Sequence, residues 1–187
     1  MSTTNAPFGF RASKHQSAYG TRGLGKYTIG STYGTSLFSG DPVLLNTDGT
    51  LNIGTATNDI VGIFAGCEYI DSTGKPVVSP YWPAGITATN IVAWVYDDPA
   101  MEFVVQCDGT IAATSVGAQA DLITGTGSTQ TGNSTYALNH TPEAGGAQGQ
   151  FRILGLYEAQ DNAWGDTYTV VKVAIAQHQF VASKVGI

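Results

Sequence analysis

Met101-Glu102-Phe103-Val104-Val105-Gln106-Cys107-Asp108-Gly109-Thr110-Ile111-Ala112-Ala113 is the stretch on which the fold class turns. Met101, Phe103, Val105 and Cys107 fall at every second position, the period of a pleated strand with one buried face. Asp108-Gly109 then offers the dipeptide of a tight hairpin and predicts a partner strand over Thr110 to Ala113. The same grammar occurs earlier, where Ser39-Gly40-Asp41-Pro42 marks a turn and Asp48-Gly49 joins Val43 to Asn46 with Thr50 to Ile53. Ile60 to Ile70 reads as a longer strand whose Gly62 and Gly66 suggest bulges, as a sheet needs when it bends into a barrel. Pro76 to Tyr81, Asn90 to Tyr96, Gln150 to Glu158 and Thr167 to Ala176 complete the strands. In the last of these Val171, Val173 and Ile175 share a face.

Helical periodicity is nearly absent, and only Thr114-Ser115 predicts one helical turn, running through Gln119. Gly125 to Gly149 is dominated by Gly, Ser, Thr and Asn and reads as an exposed flap with one short strand at Thr135 to Leu138. The pattern as a whole predicts an all-β chain: a β-barrel or β-sandwich body over residues 39–180, followed by a tail over 181–187.

Composition agrees with that class. The chain has 187 residues, room for one such body, with 42% apolar residues, 12% charged residues and 24 glycines. A mean hydropathy of +0.01 and a net charge of -6 are too apolar and too weakly charged for wholesale disorder, and the low charge content excludes a coiled coil. No apolar run approaches the length of a membrane span, and the opening residues carry no basic-then-apolar export signal, so neither is expected. Cys67 and Cys107 lie in separate strands, where two buried reduced thiols are the expectation and a bridge between neighbouring strands the alternative.

Charge is distributed unevenly. Residues 1–40 hold Arg11, Lys14, Arg22 and Lys26 and no acid, whereas residues 41–187 hold the other four bases and all fourteen acids. Such an acidic body is a poor partner for nucleic acid, whose phosphates need clustered Lys and Arg. Residues 1–38, without a clear apolar period, read as an extended basic arm that could reach about 100 Å. Phe8 and Phe10 beside Arg11 would then be exposed hydrophobes awaiting another protein.

Reactive motifs are weak. Gly20-Thr21-Arg22-Gly23-Leu24-Gly25-Lys26 has phosphate-loop spacing, but Tyr27 stands where Ser or Thr must hold magnesium, and no helix-period segment follows. His15, His140 and His178 lie apart in the arm, flap and tail, with no nucleophile elbow beside them. Asp97, Asp98 and Glu102 offer a carboxylate group for a small hydrolase or for calcium, yet Pro99 makes them look like a strand-ending turn. No catalytic, cofactor-binding or metal-binding residue is therefore expected. Tyr81-Trp82-Pro83 and Trp164 sit in predicted loops, where exposed aromatics would serve as interface anchors, as lids folded back on the barrel ends, or as a stacking platform for sugar.

Asn5-Ala6-Pro7-Phe8-Gly9-Phe10-Arg11, Tyr27-Thr28-Ile29, Phe38-Ser39-Gly40-Asp41-Pro42-Val43, Gly62-Ile63-Phe64-Ala65-Gly66, Tyr81-Trp82-Pro83-Ala84, Tyr96-Asp97-Asp98-Pro99 and Asn162-Ala163-Trp164-Gly165-Asp166 together resemble the capsid cement, or decoration, proteins of tailed bacteriophages. The resemblance implies a β-barrel or sandwich body, commonly a homotrimer, made in the host cytoplasm and seated on the outer capsid surface. Its partners would be the major capsid protein and further copies of itself, with no cofactor, nucleic acid or membrane involved. On this reading Phe8, Phe10, Arg11, Lys14, Arg22 and Lys26 of the arm contact the shell, and Tyr81, Trp82 and Trp164 lie at a subunit or capsid interface. The alternative is a head fibre or other virion appendage that binds host-surface glycan through Trp82 or Trp164.

Overall fold

The computed structural model describes residues 2–16 and 23–181, so Arg22 and nearly all of the 181–187 tail lie outside the described residues. In chain order the strands are β1 (Arg11–His15), β2 (Gly25–Ile29), β3 (Leu37–Phe38), β4 (Pro42–Leu45), β5 (Thr50–Ile53), β6 (Gly62–Asp71), β7 (Pro76–Ser79) and β8 (Tyr81–Trp82). They continue as β9 (Ala88–Tyr96), β10 (Met101–Gln106), β11 (Gln119–Ala120), β12 (Leu122–Ile123), β13 (Ala137–Leu138), β14 (Phe151–Leu156) and β15 (Val170–Ile175). The expected helical turn is a single 3-10 turn at Ala113–Ser115, so the chain is all-β as its periodicity predicts.

Five strands close into a barrel in the order β4, β5, β2, β9, β6, with β6 returning to pair with β4. Within it β2 and β5 run parallel and the other neighbours antiparallel. Closure leaves no free edge among these five, and β7 hangs outside on β6 as a hairpin. The barrel interior is filled by Ile29, Val43, Leu51, Phe64, Cys67 and Val95, and the β3–β8 ribbon caps it with Leu37 and Trp82. A second, open antiparallel sheet follows the order β1, β10, β15, β14, β11 and builds its own core with the help of the β12–β13 ribbon. Ile53 packs against both cores, and the Gln179 side chain clips both backbone groups of Leu45, at 2.7 and 3.0 Å, tying sheet to barrel.

Met101, Phe103, Val105 and Cys107 are each fully buried, as are Val171 and Val173, so alternation identified these core faces correctly. The first Asp-Gly turn forms with Gly49 at φ +81°, a backbone conformation that costs glycine least. The second expected hairpin does not form. Asp108 instead accepts the His140 backbone N–H at 2.7 Å, and Cys107 bridges to Leu138 rather than to Thr110–Ala113. Both thiols are free and buried, one in each core.

Three further expectations need correction. The N-terminal segment is no extended arm: β1 pairs with β10, β2 is a barrel stave, and Phe10 is 1% exposed with its ring stacked 4.2 Å from Phe151. Ser2 donates its N–H to Asp166 Oδ2 at 2.8 Å, and the Gln106 amide holds Ala6 and Thr4, so residues 2–6 are also bonded to the body. The 125–149 flap is only partly exposed, because Ser134, Tyr136 and Leu138 are buried and the Tyr136 hydroxyl donates to Gly54 O at 3.1 Å. Trp82 is not an exposed anchor: it is 0% exposed and meets Tyr69 edge-on at 5.2 Å. The remedy in each case is apolar burial, which draws isolated aromatics inward when a sheet lies within reach.

Candidate interaction surface

The outer wall of the barrel carries an exposed apolar trough. On β9 Ala93 and Val95 point into the core, which places Trp94 and Tyr96, both half-buried, on the other side. Trp94 lies between Lys26 on β2 and Gly66 on β6 in register, with the Lys26 ammonium 5.0 Å from its ring centre. Gly66 sits at a bulge with φ +149°, and a Cβ there would come within 3.0 Å of Ser79 O. Because Gly66 has no side chain, a trough of about 480 Å³ opens beside Trp94, lined also by Leu24, Ala65, Val78, Pro80 and Tyr96. Val78 is 82% exposed and Leu24 41%, so two large apolar side chains stand uncovered in one contiguous trough, the kind of patch that marks an interaction site.

Of the arm residues read from sequence, Phe8 is half-buried under the Arg11 guanidinium at 4.7 Å, and Lys14 reaches Glu102 at 3.7 Å. Lys26 borders the trough, Phe10 is inside the protein, and Arg22 falls outside the described residues. Tyr81 is half-buried and stacked on Phe38 at 5.5 Å; Trp164 is half-buried against the core of the open sheet. Thus none of these lines the trough itself, and only Lys26 lies beside it, through its contact with Trp94. Trp94 and Val78 were missed because an apolar residue in a strand reads as core, and Asn90 to Tyr96 is apolar on both faces, the double-sided pattern being the available signal; Leu24 fell within the expected arm and was not singled out.

The histidines and the Asp97–Asp98 pair are bound up in structure. Tyr27 donates its hydroxyl to Asp97 Oδ2 at 2.8 Å, and burial with that carboxylate beside it pushes the phenol pKa well above its usual value. Asp98 faces His15 Nε2 at 2.9 Å and accepts the Ala100 N–H at 2.8 Å. His140 is held by Asp108, while His178, 2% exposed, contacts Asp97 O at 3.0 Å and accepts the Phe180 N–H at 3.1 Å. Burial depresses the His178 pKa and pushes the Cys67 and Cys107 thiols up to about 12, too high for a reactive thiolate. Among the described residues no group of three or more His, Cys, Asp or Glu side chains gathers to hold a metal ion. Gly25-Lys26 of the phosphate-loop-like run opens a strand, so no helix N-terminus is present there to cradle phosphate.

No family model matches the chain, and no curated protein or solved structure shows significant similarity to it.

Proposed function

We propose that this chain is a non-enzymatic structural protein of a bacteriophage virion, which binds the outer surface of the icosahedral shell as a homotrimer and stabilises the expanded lattice. The resemblance of its motifs to capsid cement proteins motivates the reading, and the uncovered apolar trough on the barrel wall is the structural observation that carries it. A closed barrel presents that trough on a rigid surface, so little ordering entropy is lost on docking. A ligand that binds only the expanded shell shifts the equilibrium toward it, by about 2.7 kcal/mol per site at a hundredfold excess over Kd. Three copies of the trough on one trimer would add avidity.

The contact is moved from where the sequence put it. A strap over residues 1–38 is not free to lie across neighbouring subunits, because those described are bonded into the body. The shell contact is therefore assigned to Leu24, Val78, Trp94 and Tyr96, with Lys26 at the rim. Glycan binding through Trp82 or Trp164 loses its platform, since the first is buried and the second packs on the core.

Co-sedimentation of purified protein with expanded and unexpanded shells tests the proposal. Val78→Asp places a charge at an 82% exposed position, so folding is expected to be unchanged while binding to expanded shells is lost. Equal binding to both shell forms, or undiminished decoration by the variant, refutes it.

A further inference from the structure

A second cleft, on the outer face of the open sheet and away from the barrel trough, has a different chemistry. Its volume is about 500 Å³, within the range of small-molecule sites, and Val104 of β10, Val170 of β15 and Ala12 of β1 line it. Phe8 and Arg11 line it from the β1 side, and Tyr157 and Asp161 from the segment between β14 and β15. That second wall is rigidly built: Asn162 donates to Tyr157 O and Val170 O at 2.7 and 2.8 Å and accepts the Val170 N–H at 2.9 Å. Asp166 secures the same segment by accepting N–H groups from Ala163 and Ser2 at 2.9 and 2.8 Å.

Two opposite charges face this cleft without pairing. Among the described residues Arg11 has no carboxylate within ion-pair distance, in contrast to Lys14 with Glu102, and its guanidinium is instead seated over the Phe8 ring. Asp161 is exposed and likewise makes no ion pair among the described residues. Apolar side chains and the 40% exposed Tyr157 line the same cleft. A complementary ligand combines an anionic group for Arg11, hydrogen-bond donors for Asp161 and an apolar face.

We infer that this cleft binds a carboxylated pyranose, a uronic- or sialic-acid-type sugar. The planar guanidinium fork of Arg11 suits a carboxylate, to which it can donate two parallel hydrogen bonds. The Asp161 carboxylate accepts only, and so selects hydroxyl donors. The C–H face of the ring packs on Tyr157 and the apolar floor. The inference is independent of shell binding, which uses other residues.

Saturation-transfer NMR on the full chain tests it, with methyl glucuronide and N-acetylneuraminic acid as probes and methyl glucoside and alanine as controls. Transfer to the two acidic sugars is expected, with dissociation constants on the order of 1 mM. Arg11→Gln and Asp161→Asn should each weaken binding about tenfold, as loss of a charge-assisted hydrogen bond does. Tyr157→Ala, in an exposed segment, should abolish it with an unchanged near-ultraviolet dichroism spectrum. Equal binding of methyl glucoside, displacement of the sugars by alanine, wild-type affinity in folded variants, or no transfer to either acidic sugar overturns the inference.

Discussion

Replacing Asp41 by asparagine should stabilise the protein at neutral pH and leave it unchanged in acid. Asp41 lies between β3 and β4, is 1% exposed, and accepts the Phe38 N–H through Oδ2 at 2.8 Å. The Ser134 hydroxyl is near enough to temper its pKa, but no hydrogen bond reaches Oδ1. Burial, which disfavours the charged form, outweighs both and raises the carboxyl pKa from 3.8 to about 6. Since the folded state then holds its proton more tightly than the unfolded state, the benefit is complete below 3.8 and is lost as pH rises through about 6. The gap corresponds to about 3 kcal/mol of destabilisation at pH 7.5. Asparagine keeps an acceptor for Phe38 and aims an amide toward Ser134 without ionising. Denaturant titrations followed by tryptophan fluorescence should find Asp41→Asn about 2–3 kcal/mol more stable than the parent at pH 7.5, with the difference vanishing near pH 4. A difference that is the same at both pH values, or a variant less stable at pH 7.5, refutes the argument.

Phe10→Ala should cost about 3–5 kcal/mol in chemical denaturation, because it empties the site stacked on Phe151; a cost below about 1 kcal/mol would return Phe10 to the surface. His178 has its pKa depressed below 6.5 by burial, so the unfolded state takes the proton first and stability falls as pH drops below 6.5. His178→Gln should flatten that fall when thermal midpoints are compared between pH 7 and pH 5. Cys67 and Cys107 should resist maleimide at pH 8 in native protein and label fully in denaturant, as buried thiols with pKa about 12 do.

Much of the candidate surface was hidden from sequence. Lys26 was singled out for its charge, whereas Val78 and Trp94 carried no mark separating them from core residues. What exposes them is barrel closure together with the Gly66 bulge, which leaves open ground beside Trp94. The cleft between Phe8 and Tyr157 joins residues from opposite ends of the chain, and no spacing rule reports such a meeting.

Local chemistry alone determined the strand class, the Gly49 turn, and the buried faces Met101-Phe103-Val105 and Val171-Val173, because each depends on side-chain alternation or backbone freedom within a few residues. Tertiary structure decided the fate of the N-terminal segment and of Trp82. β1 and β2 are five residues each and mostly polar, too short to show a period, and they become strands only by pairing with β10 and β9 far along the chain. Burial belongs to what packs upon a residue, so an aromatic ring in a Gly-rich stretch reads as exposed until a distant sheet is folded over it.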